Sequence, residues 1–125
     1  MSGRRSIAAT VLGFRVAYGV ALVIAPGKVA GNRWLGPGAR TPAATVALRG
    51  LGAREIAVHG IALGLLARGG AVRPWLAASV AGDVADVLSA FASRDGLPDG
   101  SSTATAAVAG GSAVLTAAVA AALDE

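Results

Sequence analysis

Long apolar runs alternate with short polar breaks along the chain, and four runs stand out, at residues 7–25, 45–67, 74–92 and 103–123. Each is close to the ~20 residues that a helix needs to cross a bilayer. Pro26 and Gly27 stop the first run. Thr41 or Thr45 can cap the second, and Arg68-Gly69-Gly70 ends it, since glycine after a basic residue is a helix C-terminal signal. Arg73-Pro74-Trp75 opens the third with proline in the first turn. A loop with Asp95-Gly96, Pro98 and Asp99-Gly100 precedes the fourth. The pattern predicts an all-α fold, a four-helix transmembrane bundle forming one domain over residues 1–125, with Asp124 and Glu125 ending in water. Arg4 and Arg5 before the first run resemble the start of a signal peptide, but the run is long enough to span and no cleavage pattern follows, so it is read as a helix. In the polar connection at 28–42, Trp34 beside Arg33 reads as a headgroup-level anchor.

The pattern is broken where ionisable residues fall inside three of the runs: Arg15; then Arg49, Arg54, Glu55 and His59; then Asp83 and Asp86. Charge at that depth has to be paired, hydrated or used. With His59 neutral, Arg15, Arg49 and Arg54 balance Glu55, Asp83 and Asp86. Glu55 and His59 are one helical turn apart and share a face with Gly52 and Ile56, with Arg49 at its edge. Arg54 points about 100° away from Glu55, so it reaches another neighbour, lies at a different helix interface or snorkels. Asp83 and Asp86 share a face near Ser79. If both faces turn to the bundle axis, one mid-membrane cluster holds Glu55, His59, Asp83 and Asp86, with Arg15 and Arg49 as counter-charges. The acid–base candidates are Glu55, His59, Asp83 and Asp86, and the ligand-binding candidates are Arg15, Tyr18, Arg49 and Arg54. The fourth run has no charge and reads as a packing wall, its Ala106, Gly110, Gly111 and Ser112-Thr116-Ala120 suiting close helix contact.

Composition agrees. Only 14% of residues are charged, against about 25% in a soluble domain, and the mean hydropathy is +0.64. The net charge of +4 comes from scattered basic residues without clustered stacking aromatics, which argues against nucleic acid. The absence of cysteine excludes disulfides and thiolate chemistry. The Ala/Gly/Val/Arg bias with one lysine suits a bacterial chain. With both termini on one side, Arg4, Arg5, Arg68 and Arg73 face Lys28, Arg33, Arg40 and Arg94 across the membrane, a tie that sets no orientation by charge count. Arg4 and Arg5 beside the first helix favour cytoplasmic termini.

Four uses of the cluster stay open. Carboxylates and an imidazole on facing helices resemble divalent-metal ligands. The spacing of Glu55, His59, Asp83 and Asp86 matches no recognised zinc or di-iron pattern, however, and nearby arginines oppose a cation, so no metal and no cofactor is expected. A carboxylate and a histidine can relay protons. The arginines can recognise an anionic or zwitterionic lipid or metabolite. A static ion-pair network fixing helix register is the fourth. Gly50-Leu51-Gly52 lacks the strand that a phosphate loop requires, and Ser79, Ser89 and Ser112 lack the setting of a nucleophile.

Arg15 with Tyr18-Gly19 and Ala25-Pro26-Gly27, Trp34-Leu35-Gly36, Arg49-x-x-Gly52-x-Arg54-Glu55, Arg73-Pro74-Trp75 and Gly82-Asp83-x-x-Asp86 together resemble a domain-of-unknown-function family of small four-helix bacterial integral membrane proteins, common in actinobacteria. The resemblance implies the fold and a cytoplasmic-membrane location; it implies no activity, cofactor or substrate. The expected role is non-enzymatic: binding or moving a small solute, proton or lipid, or serving a membrane partner. The alternatives are an intramembrane acid/base or metal-dependent enzyme, and a soluble helical bundle that oligomerises through its apolar faces. The expected partners are the lipid bilayer and a small solute or lipid, with room for a homo-oligomer.

Overall fold

A computed structural model describes residues 2–123, which leaves the acidic end at Asp124 and Glu125 outside the described residues. It contains helix α1 (Gly3–Ile24), the short α2 (Pro26–Ala30), α3 (Pro42–Arg68), α4 (Arg73–Ala92) and α5 (Ser101–Ala122), and no strand among the described residues. The four longer helices, α1, α3, α4 and α5, are long and apolar enough to cross a membrane. They pack as a bundle in which α1 neighbours α3 and α5, and α4 closes the ring between α3 and α5.

Helices α1 and α3 begin three or more residues earlier than the hydrophobic pattern predicts, because caps rather than apolar residues set the start. Ser2 accepts from the Arg5 amide and draws Arg4 and Arg5 into the first turn of α1. Thr41 accepts from the Ala44 amide at 3.2 Å, with Pro42 at the first helical position of α3. Gly69 ends α3 in the left-handed region (φ +72°), and the Gly70 amide donates to the Leu65 carbonyl at 2.8 Å. That closure favours glycine, which has no Cβ to clash. The connection after α2 carries a 3-10 turn at Gly36–Arg40.

The closest pairing is α1 on α3, at a glycine-to-glycine crossing. A Cβ on Gly19 would lie 2.7 Å from the Gly52 carbonyl oxygen, and one on Gly52 would lie 2.6 Å from that of Gly19. Neither position accepts even alanine unless the backbones separate. Small residues bring helices close enough for dense dispersion contact, the main attraction available where solvent is apolar.

Every long helix also receives an arginine at its C-terminal carbonyls. Arg49 donates to Val23 of α1 (3.2 Å), Arg5 to Leu66 of α3, Arg94 to Phe91 of α4 (2.8 Å), and Arg73 to Ala120 (3.0 Å) and Leu123 of α5. The last carbonyls of a helix lack intrahelical donors and carry its negative partial charge, so a guanidinium there satisfies both needs.

Below mid-height, towards the chain termini, all four long helices meet in a continuous core of Ala8, Leu12, Ala62, Leu66, Leu76 and Val119 with their neighbours. Above it the core is narrower. Leu22, Ala30, Ala39 and Leu48 pack α1, α3 and the connection between them, without α4 or α5.

Candidate functional site

Arg15 sits where the two halves join and reaches three other helices. Its Nε and Nη2 donate to Glu55 Oε2 (2.9 Å) and Oε1 (2.8 Å) on α3. Nη1 and Nη2 donate to Asp83 Oδ2 (2.7 Å) and Oδ1 (2.6 Å) on α4. Nη1 also donates to Thr116 Oγ1 on α5 at 3.2 Å. All five N–H groups of a guanidinium are thereby committed, in two bidentate forks and one bond to a hydroxyl. Glu55 and Asp83 are buried. One cation between two carboxylates ties α1, α3, α4 and α5 together.

His59 stands behind this triad. Its Nδ1 lies 2.7 Å from the Glu55 carbonyl oxygen and 3.3 Å from Oε2 of the same residue; Nε2 lies 2.7 Å from Ser79 Oγ. A carbonyl can only accept, so Nδ1 carries hydrogen, and in the neutral ring Nε2 accepts from the serine hydroxyl. Glu55, His59 and Ser79 thus join the triad as the helical spacing suggests.

The remaining predicted residues separate from it. Asp83 and Asp86 line one space but take different ion-pair partners, since three residues along a helix is a 60° offset. Asp86 pairs with Arg54, Nη2 to Oδ2 at 2.7 Å, the Arg54 side chain being 40% and that of Asp86 33% exposed. Arg54 finds a different interface, as its direction requires, and crosses α4 at Gly82, where a Cβ would come within 3.4 Å of its Cζ. Arg49 is a correction. It is exposed and bonds to Val23 instead of acting as a counter-charge at the cluster. The physical reason is height: Arg49 lies six residues before Glu55 on α3, about 9 Å along the axis, beside the C-terminal end of α1. Without Arg49 the charges at the cluster no longer balance. Arg15 and Arg54 face Glu55, Asp83 and Asp86, one negative charge in excess when His59 is neutral. Among the described residues no group of histidines and carboxylates is arranged to hold a metal ion.

Directly above the triad lies a cavity of about 590 Å³. Arg15, Glu55, Asp83 and Asp86 form its polar floor, and Tyr18 on α1 and Leu51 on α3 continue one wall. Ser89 of α4, Ser93 just past its end, and Ala104, Thr105, Val108 and Ser112 of α5 form the other. Trp34 and Leu97 reach in from the connections. Phe14 on α1 and Val108 on α5 both line the cavity while being 79% and 60% exposed, so it opens sideways between those helices.

Sequence reading missed most of this space. Trp34, expected as a headgroup anchor, is half-buried and donates from its indole to Thr105 Oγ1 at 3.1 Å. The uncharged last helix is more than a packing wall: it supplies Thr116 to the triad and one side of the cavity. It also winds as a π-helix over Ala106–Gly110. Such a segment widens the turn and leaves the regular side-chain period, and π-bulges are frequent at functional sites. Ser101, also lining the cavity, is fully buried and its Oγ has no hydrogen-bond partner. The available signal was the row of hydroxyls, Ser101, Thr105, Ser112 and Thr116, on a helix that otherwise carries only small and apolar residues. No family model, curated protein or solved structure matches the chain.

Proposed function

We propose that this chain is a multi-pass protein of the bacterial cytoplasmic membrane that binds a small amphipathic solute or lipid in the side-opening cavity above Arg15. The cavity is the observation that carries the reading. Its volume of about 590 Å³ falls within the roughly 300–1,000 Å³ of small-molecule sites. Apolar walls over a few fixed polar groups suit a molecule with an apolar body and a polar end. The membrane location is supported by large apolar side chains exposed on every long helix, among them Ile7, Ile24, Val46, Leu88, Val114 and Leu115. A soluble bundle would leave these in water.

The test uses Trp34 as a reporter. In a Trp75→Phe background Trp34 is the sole tryptophan, and phenylbutanol is titrated into the purified protein in nonionic detergent. A saturable change in Trp34 emission is expected, abolished by Ala104→Leu, which fills the space. A linear, non-saturating response that Ala104→Leu leaves intact would contradict the proposal.

A second reading rests on the continuous contacts from Ser79 through His59 to Glu55, Arg15 and Asp83, which suit a proton path. Proton flux into vesicles carrying the protein, lost in Glu55→Gln, would favour it.

A further inference from the structure

Resting on the reading of this space as a binding site, we infer that its ligand carries a positive charge: an apolar molecule with an ammonium group that docks at Asp86. The first observation is which polar atoms remain free. Arg15 has no N–H left to offer an anion, because its donors are committed to Glu55, Asp83 and Thr116. What the floor presents instead is acceptors. Glu55 and Asp83 are held by Arg15, but Asp86 uses only Oδ2 in a close bond, at 2.7 Å, while Oδ1 has a marginal 3.5 Å approach from Arg54 Nη1. Asp86 lines the cavity and Arg54 does not. Asp86 is therefore the floor carboxylate held most loosely, its Oδ1 bonded only at 3.5 Å.

Charge is the second observation. Arg15 and Arg54 leave one of Glu55, Asp83 and Asp86 uncompensated. Of the other ionisable groups against them, His59 does not line the cavity and Tyr18 lines it with a phenol that is uncharged at neutral pH. A bound monocation brings the sum to zero without moving any protein group, whereas an anion would raise a buried excess that is already unfavourable.

The third concerns the walls. Phe14, Tyr18 and Trp34 line the cavity, leaving only Trp75 and Phe91 elsewhere. Aromatic faces attract ammonium groups and apolar bodies alike. Ser101 adds an independent sign of a ligand: a fully buried hydroxyl in the cavity wall with no partner, which a bound molecule can satisfy. Unsatisfied buried polar groups are costly enough to be rare.

The experiment compares three probes with one apolar body. Phenylbutylamine, phenylbutanol and phenylbutyrate are titrated separately into the purified full chain in nonionic detergent by calorimetry. The amine is expected to bind about tenfold more tightly than the alcohol, the scale of one charge-assisted bond replacing a neutral one, and the carboxylate most weakly. Asp86→Asn should remove most of the amine's advantage. Arg54→Gln should increase amine affinity, because the competitor for Asp86 is gone, and a misfolded variant would not produce a gain. Equal binding of amine and alcohol, tightest binding of the carboxylate, or an amine preference that survives Asp86→Asn would overturn the inference while leaving a binding cavity in place. If none of the three binds, the cavity reading itself fails.

Discussion

The bundle's two halves are built from the same alanine, leucine, valine and glycine, yet one is filled and the other hollow. Towards the termini, Ala8, Leu12, Ala62, Leu66, Leu76 and Val119 bring all four long helices into one core. Beyond Arg15, the buried residues belong to α1, α3 and the connection between them, and α4 and α5 stand away across the cavity. The seam between α1 and α3 runs through both halves and is locked by Gly19 and Gly52. What differs is the other pair: α5 winds as a π-helix at Ala106–Gly110, beside the cavity, and Trp34 and Leu97 occupy its top. Composition sets how closely helices can approach; local winding and the connections decide where they do.

The strongest way to break this arrangement is to remove the residue that joins the halves. Arg15→Leu leaves Glu55 and Asp83 as unpaired buried carboxylates, with an expected loss of about 3–5 kcal/mol. Arg54→Leu, at the partly exposed pair with Asp86, should cost less than about 1 kcal/mol. Denaturation in detergent followed by circular dichroism measures both, and equal losses would remove the distinction between the two ion pairs.

Next in size is the seam. Gly52→Ala forces a Cβ against the Gly19 carbonyl, an overpacking cost of about 1–3 kcal/mol or more because backbone has to move. At Gly110, where an added Cβ meets nothing within 4 Å, alanine should change stability by no more than about 1 kcal/mol. The smallest contrast compares leucines. Leu12→Ala in the filled half should cost about 2–5 kcal/mol. Leu51→Ala, beside space that is already empty, should cost clearly less, and thermal melting of the two variants in one detergent makes the comparison.

Much of this was legible beforehand. Helical spacing alone joined Glu55 to His59 and turned Arg54 towards a different interface. Arg49 misled because angular position on a helix says nothing of height: Thr41 and Pro42 start α3 early enough to place Arg49 beside the end of α1. Asp83 and Asp86 do line one cavity, as their shared face suggested, but the 60° offset between them decides between a buried partner and a partly exposed one. The cavity was illegible for a deeper reason. It is a space between elements, and the π segment beside it, in a run of small residues, leaves no mark on a hydrophobic pattern of regular period.

The most direct test of the difference between the halves uses the chain's lack of cysteine. Single cysteines are placed at Ala104, in the cavity wall, and at Ala62, buried in the filled core, and both proteins are treated with N-ethylmaleimide in detergent. Rapid labelling at position 104, slowed by phenylbutanol, with position 62 protected, is the expected result. Equal labelling at the two positions, or labelling at 104 that phenylbutanol does not slow, would contradict the existence of a ligand-accessible cavity above Arg15.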